Sequence, residues 1–190
     1  VFPVVLDPTF AVAASADDVV SIGINFSITN ASRGVGQSGG LINESAARYT
    51  SVNIPNASTI DSAFETLIAS ATQSGTTVLS DLFCEAADNP AQITSEADFN
   101  ARVMTAGVAW DSIGTWTAGD SNNTPSLITP VQAVINRVGW VSGNALIVFW
   151  KDGGSTNGAI RNGASWDNTT YTEPVLTVTW TPPAGAGQPT

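Results

Sequence analysis

The chain has no histidine and a single cysteine, and only 12% of its residues are charged. Without histidine it lacks the commonest general base and any Ser-His-Asp or Cys-His arrangement. The lone Cys84 builds no intrachain disulfide framework and leaves the redox compartment open. Its setting, Val78-Leu79-Ser80-Asp81-Leu82-Phe83-Cys84-Glu85, reads as a core strand in which the thiol is a small buried hydrophobe, not a nucleophile. Basic residues are equally scarce: Arg33, Arg48, Arg102, Arg137, Lys151 and Arg161 stand against 16 acids, for a formal net charge of -10. Scattered cations on an acidic chain make no patch for a phosphate backbone or an anionic lipid surface. No stretch of about twenty apolar residues occurs, so no membrane insertion is expected. Gly34-Val35-Gly36-Gln37-Ser38-Gly39-Gly40 lacks both the lysine and the strand–loop–helix setting of a phosphate-binding loop. The first residue is Val1, which is expected of a processed chain or a piece of a longer product.

What is present is a turn-rich, moderately apolar composition. Of 190 residues, 43% are hydrophobic, enough for one sizeable core. The 17 glycines and 10 prolines, with much Ser, Thr and Asn, suit many short strands joined by turns.

Along the chain, Val20, Ile22, Ile24, Phe26 and Ile28 alternate with polar or small residues, which predicts one half-buried strand over 19–28. Residues 32–40 read as a glycine-rich loop. Strands are expected over 48–54, 60–69 and 77–85, with turns at 55–58 and 73–76. Asp88-Asn89-Pro90 ends the third of these. Ser95 followed by Asp98 predicts a short helix through Arg102. Thr129, Pro130 and Gln132 form a capping-box start for a second helix, with Val131, Val134, Ile135 and Val138 on one face and Gly139 as its stop. Residues 103–110 are expected to be extended. The apolar run 144–150 suits the centre of a sheet, and Leu176, Val178 and Trp180 alternate with Thr177 and Thr179. The absence of βαβ spacing points to an all-β, two-sheet antiparallel β-sandwich with one or two short helices. Residues 1–16 are expected to form an extended N-terminal arm, 17–181 the sandwich, and 182–190 a Pro/Gly-rich tail or linker.

Several runs from Arg48 onward resemble the disaggregatase-related, DNRLRE-like β-sandwich domains. They include 52–63 (VNIPNASTIDSA), 84–90 (CEAADNP), 108–110 (VAW), 115–119 (TWTAG), 124–127 (TPSL), 134–146 (VINRVGWVSGNAL) and 173–179 (EPVLTVT). Those domains are grouped with carbohydrate-binding modules and also occur in secreted, cell-surface and phage structural proteins. The resemblance implies a jelly-roll-like sandwich and no particular ligand.

Six tryptophans raise the question of a glycan platform, because an exposed indole can stack on a pyranose face. Trp116 and Trp166 are the candidates, since both lie in loop-like sequence. Trp150 and Trp180 end core strands and are expected to be buried, and Trp140 follows the second helix. Asp17 with Asp18, Glu85 with Asp88, and Asp167 with Glu173 offer hard oxygen ligands for a structural calcium ion, but none forms an ordered calcium loop. No pair of acids is singled out as glycosidase chemistry requires. No catalytic residue and no other cofactor is therefore expected. Asn25, Asn30, Asn43, Asn56, Asn122 and Asn168 begin N-x-Ser/Thr triplets, which this composition produces readily by chance. The expected function is that of a non-catalytic structural or adhesive protein at a virion or cell surface, outside the cell. Neighbouring subunits, including copies of itself, are its expected partners. The alternative is a carbohydrate-binding module of a larger secreted protein.

Overall fold

The computed structural model describes residues 8–74 and 78–183. Among them the strands are β1 (Thr9–Ala11), β2 (Asp18–Ile22), β3 (Asn25–Ser27), β4 (Ser32–Ser38), β5 (Leu41–Tyr49), β6 (Thr59–Ile68) and β7 (Ser80–Cys84). Helix α1 (Glu96–Ala101), β8 (Val108–Ala109), β9 (Ser121–Asn123) and helix α2 (Ile128–Ile135) follow. The chain then adds β10 (Leu146–Asp152), β11 (Ile160–Ala164) and β12 (Val175–Thr181). The fold is all-β, with two antiparallel sheets. One has the order β1-β12-β6-β9; the other runs β11-β4-β5-β10-β7-β8, with β2 also paired to β5 and β3 to β2.

Leu176, Val178 and Trp180 point from β12 into the core, where they meet Ala63 and Leu67 of β6 and Tyr49, Val148 and Trp150 of the facing sheet. Cys84 is buried there too. On the outer face of the large sheet, α1 lays Phe99 against Phe149, with ring centroids 5.3 Å apart. Ser95 caps this helix by accepting from Asp98 N, as the sequence predicts.

The two edges of β5 explain the shape on one side. Asn43 is bridged to Ile22 of β2 and to Gly36 of β4, while Ser45, Ala46 and Ala47 are bridged to β2 and β10. β4 and β10 therefore share one edge of β5 and then diverge. The β4–β11 ribbon crosses toward the other sheet, where Gly163 bridges Ala69 and Ser70 N donates to Asn162 O.

Several expectations are corrected. Residues 32–38 are a strand, not a loop: Cβ atoms at 34 and 36 would lie 2.0 Å from Asn162 Oδ1 and 2.1 Å from Ala159 O, so the glycines permit close strand approach. The expected strand 19–28 is a hairpin that turns at Gly23 (φ 63°) and Ile24. Of the expected strand 48–54 only residues 48–49 are strand, as the end of β5, which runs from Leu41 to Tyr49. Helix α2 begins at Ile128 without a side-chain cap, because Gln132 instead accepts from Ile60 N and donates to Ser58 O. It ends at Ile135, before Gly139. The Asn56 side chain there donates to Ile135 O and Arg137 O, and Val138 is left in solvent. The arm boundary at 16 also moves, since Thr9–Ala11 pairs with β12 inside the domain's own sheet. The remainder of the arm (1–7), half of the 73–76 turn with the start of the 77–85 strand (75–77), and the tail beyond 183 lie outside the described residues.

Candidate functional site

The two aromatic candidates part company. Trp116 is 3% exposed. Its backbone bridges Gln73, and its indole packs 6.0 Å from both Trp110 and Trp150, which stack on each other at 5.1 Å. It is a core residue, packed against Trp110 close by in the chain and Trp150 of β10. Trp166 is 43% exposed. Trp150 and Trp180 are buried as expected, and Trp140 is buried with Nε1 donating to Ile54 O at 2.9 Å.

The segment carrying Trp166 is tightly held. Trp166 N donates to Asp18 Oδ2 at 2.8 Å, Ser165 Oγ donates to Asn30 O, and Asn168 Nδ2 donates to Ala31 O. Burial pushes the Asp18 carboxyl up to about 6, against the Trp166 N–H and Arg33, which favour its charged form. Asp18 is 3% exposed and is engaged in holding this turn.

Beside this turn, a groove of ≈ 350 Å³ separates β2 from the β4–β11 ribbon. Its apolar lining is Val20, Ile22, Leu41 and Ile160, and its polar lining is Asn30, Ser32, Ser38, Asn43 and Asn162. Among the described residues no charged side chain lines it. Asn43 is 5% exposed, its Oδ1 has no hydrogen-bond partner among the described residues, and its Nδ2 reaches Asn162 Oδ1 only at 3.4 Å. Asn162 is fixed by its own N–H, which donates to Gln73 Oε1 at 2.7 Å, and it faces the space left by Gly34. Sequence reasoning missed this site. Asn43 was not recognised as a strand residue, and its partner lies 119 positions away.

Apart from Glu173, the calcium candidates are engaged with protein groups, Asp18 as described above. Asp17 pairs with Arg48 at 2.8 Å, Glu85 with Arg102 at 3.0 Å, Asp88 with Arg137 at 2.6 Å, and Asp167 accepts from Ser15 Oγ. Among the described residues no group of three or more His, Cys, Asp or Glu is gathered to hold a metal ion. Burial raises the Glu85 carboxyl, and the Arg102 guanidinium opposes that rise. Burial also raises the Cys84 thiol, which keeps it protonated and unreactive.

All six basic side chains are committed within the domain. Beyond the three pairs above, Arg33 meets Glu65, Lys151 meets Glu44, and Arg161 donates to Gly114 O, Ile113 O and Ile160 O. No family model matches the chain, and no curated protein matches it.

Proposed function

We propose that this chain is a non-catalytic structural or adhesive module of a virion or cell surface, working through contacts with neighbouring subunits. The observation that carries the reading is the tip where two hairpins turn. Ile24 is 89% exposed, and Leu41 and Ile42 beside it are about half exposed. Gly23 N donates to Ile42 O, and a Cβ on Gly23 would lie 3.0 Å from Leu41 Cδ2, so the two turns are packed together. Three large aliphatic side chains held at one rigid corner suit a partner surface better than water. Committed cations and engaged carboxylates support the same reading, because they tie loops to the sandwich. So do the sequence runs resembling DNRLRE-like domains.

Sedimentation over a range of concentrations tests it. Reversible self-association is expected, and Ile24→Asp weakens it while leaving the fold intact. A monomer at every concentration that also fails to adhere to cell-envelope or particle preparations would refute the reading.

A carbohydrate-binding module is the second reading, favoured by the exposure of Trp166. Its test is glycan binding that Trp166→Ala removes without loss of fold.

A further inference from the structure

We propose that the N-terminal segment 1–7 of one copy of this chain docks into the groove between β2 and the β4–β11 ribbon of a neighbouring copy. The proposal rests on the adhesive reading above and names the contact through which copies meet.

The groove suits an uncharged, apolar polypeptide. Val20 and Asn43 are buried and close its floor, so an occupant meets the more exposed walls, Ile22, Leu41 and Ile160 with Asn30, Ser38 and Asn162. The aliphatic walls take side chains. The hydroxyl and the carboxamides pair with backbone N–H and C=O groups that an apolar groove would leave unsatisfied. Among the described residues the Asn30 and Asn162 carboxamide oxygens accept from Ser32 N and Asn43 Nδ2, and their Nδ2 groups have no acceptor. The volume of ≈ 350 Å³ is at the small end for occupied sites, which fits the side chains of a short segment.

The sequence Val1-Phe2-Pro3-Val4-Val5-Leu6-Asp7 carries no charged side chain before Asp7, as a groove without charged walls requires. Pro3 has a fixed φ, which lowers the cost of ordering the segment on a partner. At about 3.3–3.6 Å per residue, seven residues reach at most about 25 Å from Pro8.

Topology favours a neighbour's groove over the chain's own. β1 is antiparallel to β12, and Pro8 O accepts from Val178 N, so the chain enters β1 from the Thr181 side of β12. The ribbon meets the small sheet at the opposite end, where Val175 pairs with Thr66 and Ala69 bridges Gly163. The groove also opens onto the apolar tip. Leu41 belongs to both, and Ile22 is followed by Gly23 and the exposed Ile24. One neighbour therefore covers tip and groove together.

Sedimentation of the full chain and two variants is the test. Phe2→Asp puts a carboxylate into the segment. Ser38→Trp, at an exposed rim position, fills the groove of a chain whose segment is intact. Each alone is expected to raise the dissociation constant of self-association at least about tenfold. Mixed in equal amounts they should form one-to-one pairs, because one supplies an intact groove and the other an intact segment. If Ser38→Trp does not fold, Phe2→Asp decides the matter alone. The proposal is overturned if Phe2→Asp associates as the parent does, or if the mixture associates no more than the separate variants. Either result leaves the adhesive reading standing, because the parent still associates and Ile24→Asp still weakens it. A parent that stays monomeric and adheres to nothing refutes that reading, and this contact with it.

Discussion

Arg33 and Glu65 meet at 2.8 Å in the interior, where β4 of one sheet faces β6 of the other, and Tyr49 donates to the same carboxylate. Burial is the largest single influence and lowers the Arg33 guanidinium; the Glu65 carboxylate, joined by Tyr49 and Asp18, outweighs it, so the guanidinium is raised. Among the described residues Arg33 Nε and Glu65 Oε2 have no partner, so the pair is incompletely satisfied. Removing one member strands a buried charge, so Arg33→Met or Glu65→Leu alone should cost about 3–5 kcal/mol. The double variant should recover to within about 1 kcal/mol of the parent or exceed it. Denaturant unfolding measures both, and additive losses would show that the two residues act independently, contradicting the stranded-charge argument. Asp18 supplies a second prediction. Its folded pKa is raised from 3.8 to about 6, so the folded state holds this proton more tightly than the unfolded chain. Its contribution to stability is complete below its unfolded pKa and is lost as pH rises through the folded value. The loss amounts to about 3 kcal/mol at 1.36 kcal/mol per unit. Asp18→Asn keeps an acceptor for Trp166 N and carries no proton to lose. Unfolding curves should therefore show the parent falling relative to the variant between about pH 4 and pH 6. Parallel curves would contradict the burial argument. Asp98, held down to about 2 chiefly by its hydrogen bond from Arg102, acts on the other side. It stabilises above its unfolded pKa and loses that contribution only as pH falls toward 2, so it does not mask Asp18.

At the scale of elements, what could be read locally depended on whether a pattern was made by neighbours in sequence. β12 was legible because one face is buried and the other is not, and that asymmetry writes a period of two into its seven residues; β6 carries Glu65 on its buried face and Phe64 on the other. Helix α1 was legible from one cap, Ser95, acting three residues ahead. The hairpin of β2 and β3 was not, because its turn carries an exposed isoleucine at the position where alternation calls for an apolar residue. β4 was hidden for the opposite reason. Its glycines serve contact with β11, more than a hundred residues later, and glycine in sequence signals a turn before it signals close strand approach. Gln132 completes no capping box because it reaches across to the start of β6, a choice made by tertiary structure. The groove was invisible for that same reason. Its amides belong to β5 and β11 and come together only where the ribbon passes β2.

For the molecule as a whole, the net charge of -10 and the apolar tip act against each other. Copies of this chain repel one another through their acidic surfaces, while Ile24, Leu41 and Ile42 lower the free energy when covered. The basic side chains are committed within the domain, so few are left to bridge two acidic copies. Salt should then strengthen association, because screening weakens the repulsion and leaves burial of the tip nearly unchanged. Raising ionic strength from about 0.01 M to about 0.5 M shortens the screening length from about 30 Å to about 4 Å. Sedimentation over that range should show the associated fraction rising in the parent protein and staying low in Ile24→Asp. A complex that dissociates as salt rises would mean that charge pairs join the copies, and the contact would have to be sought on another face of the sandwich.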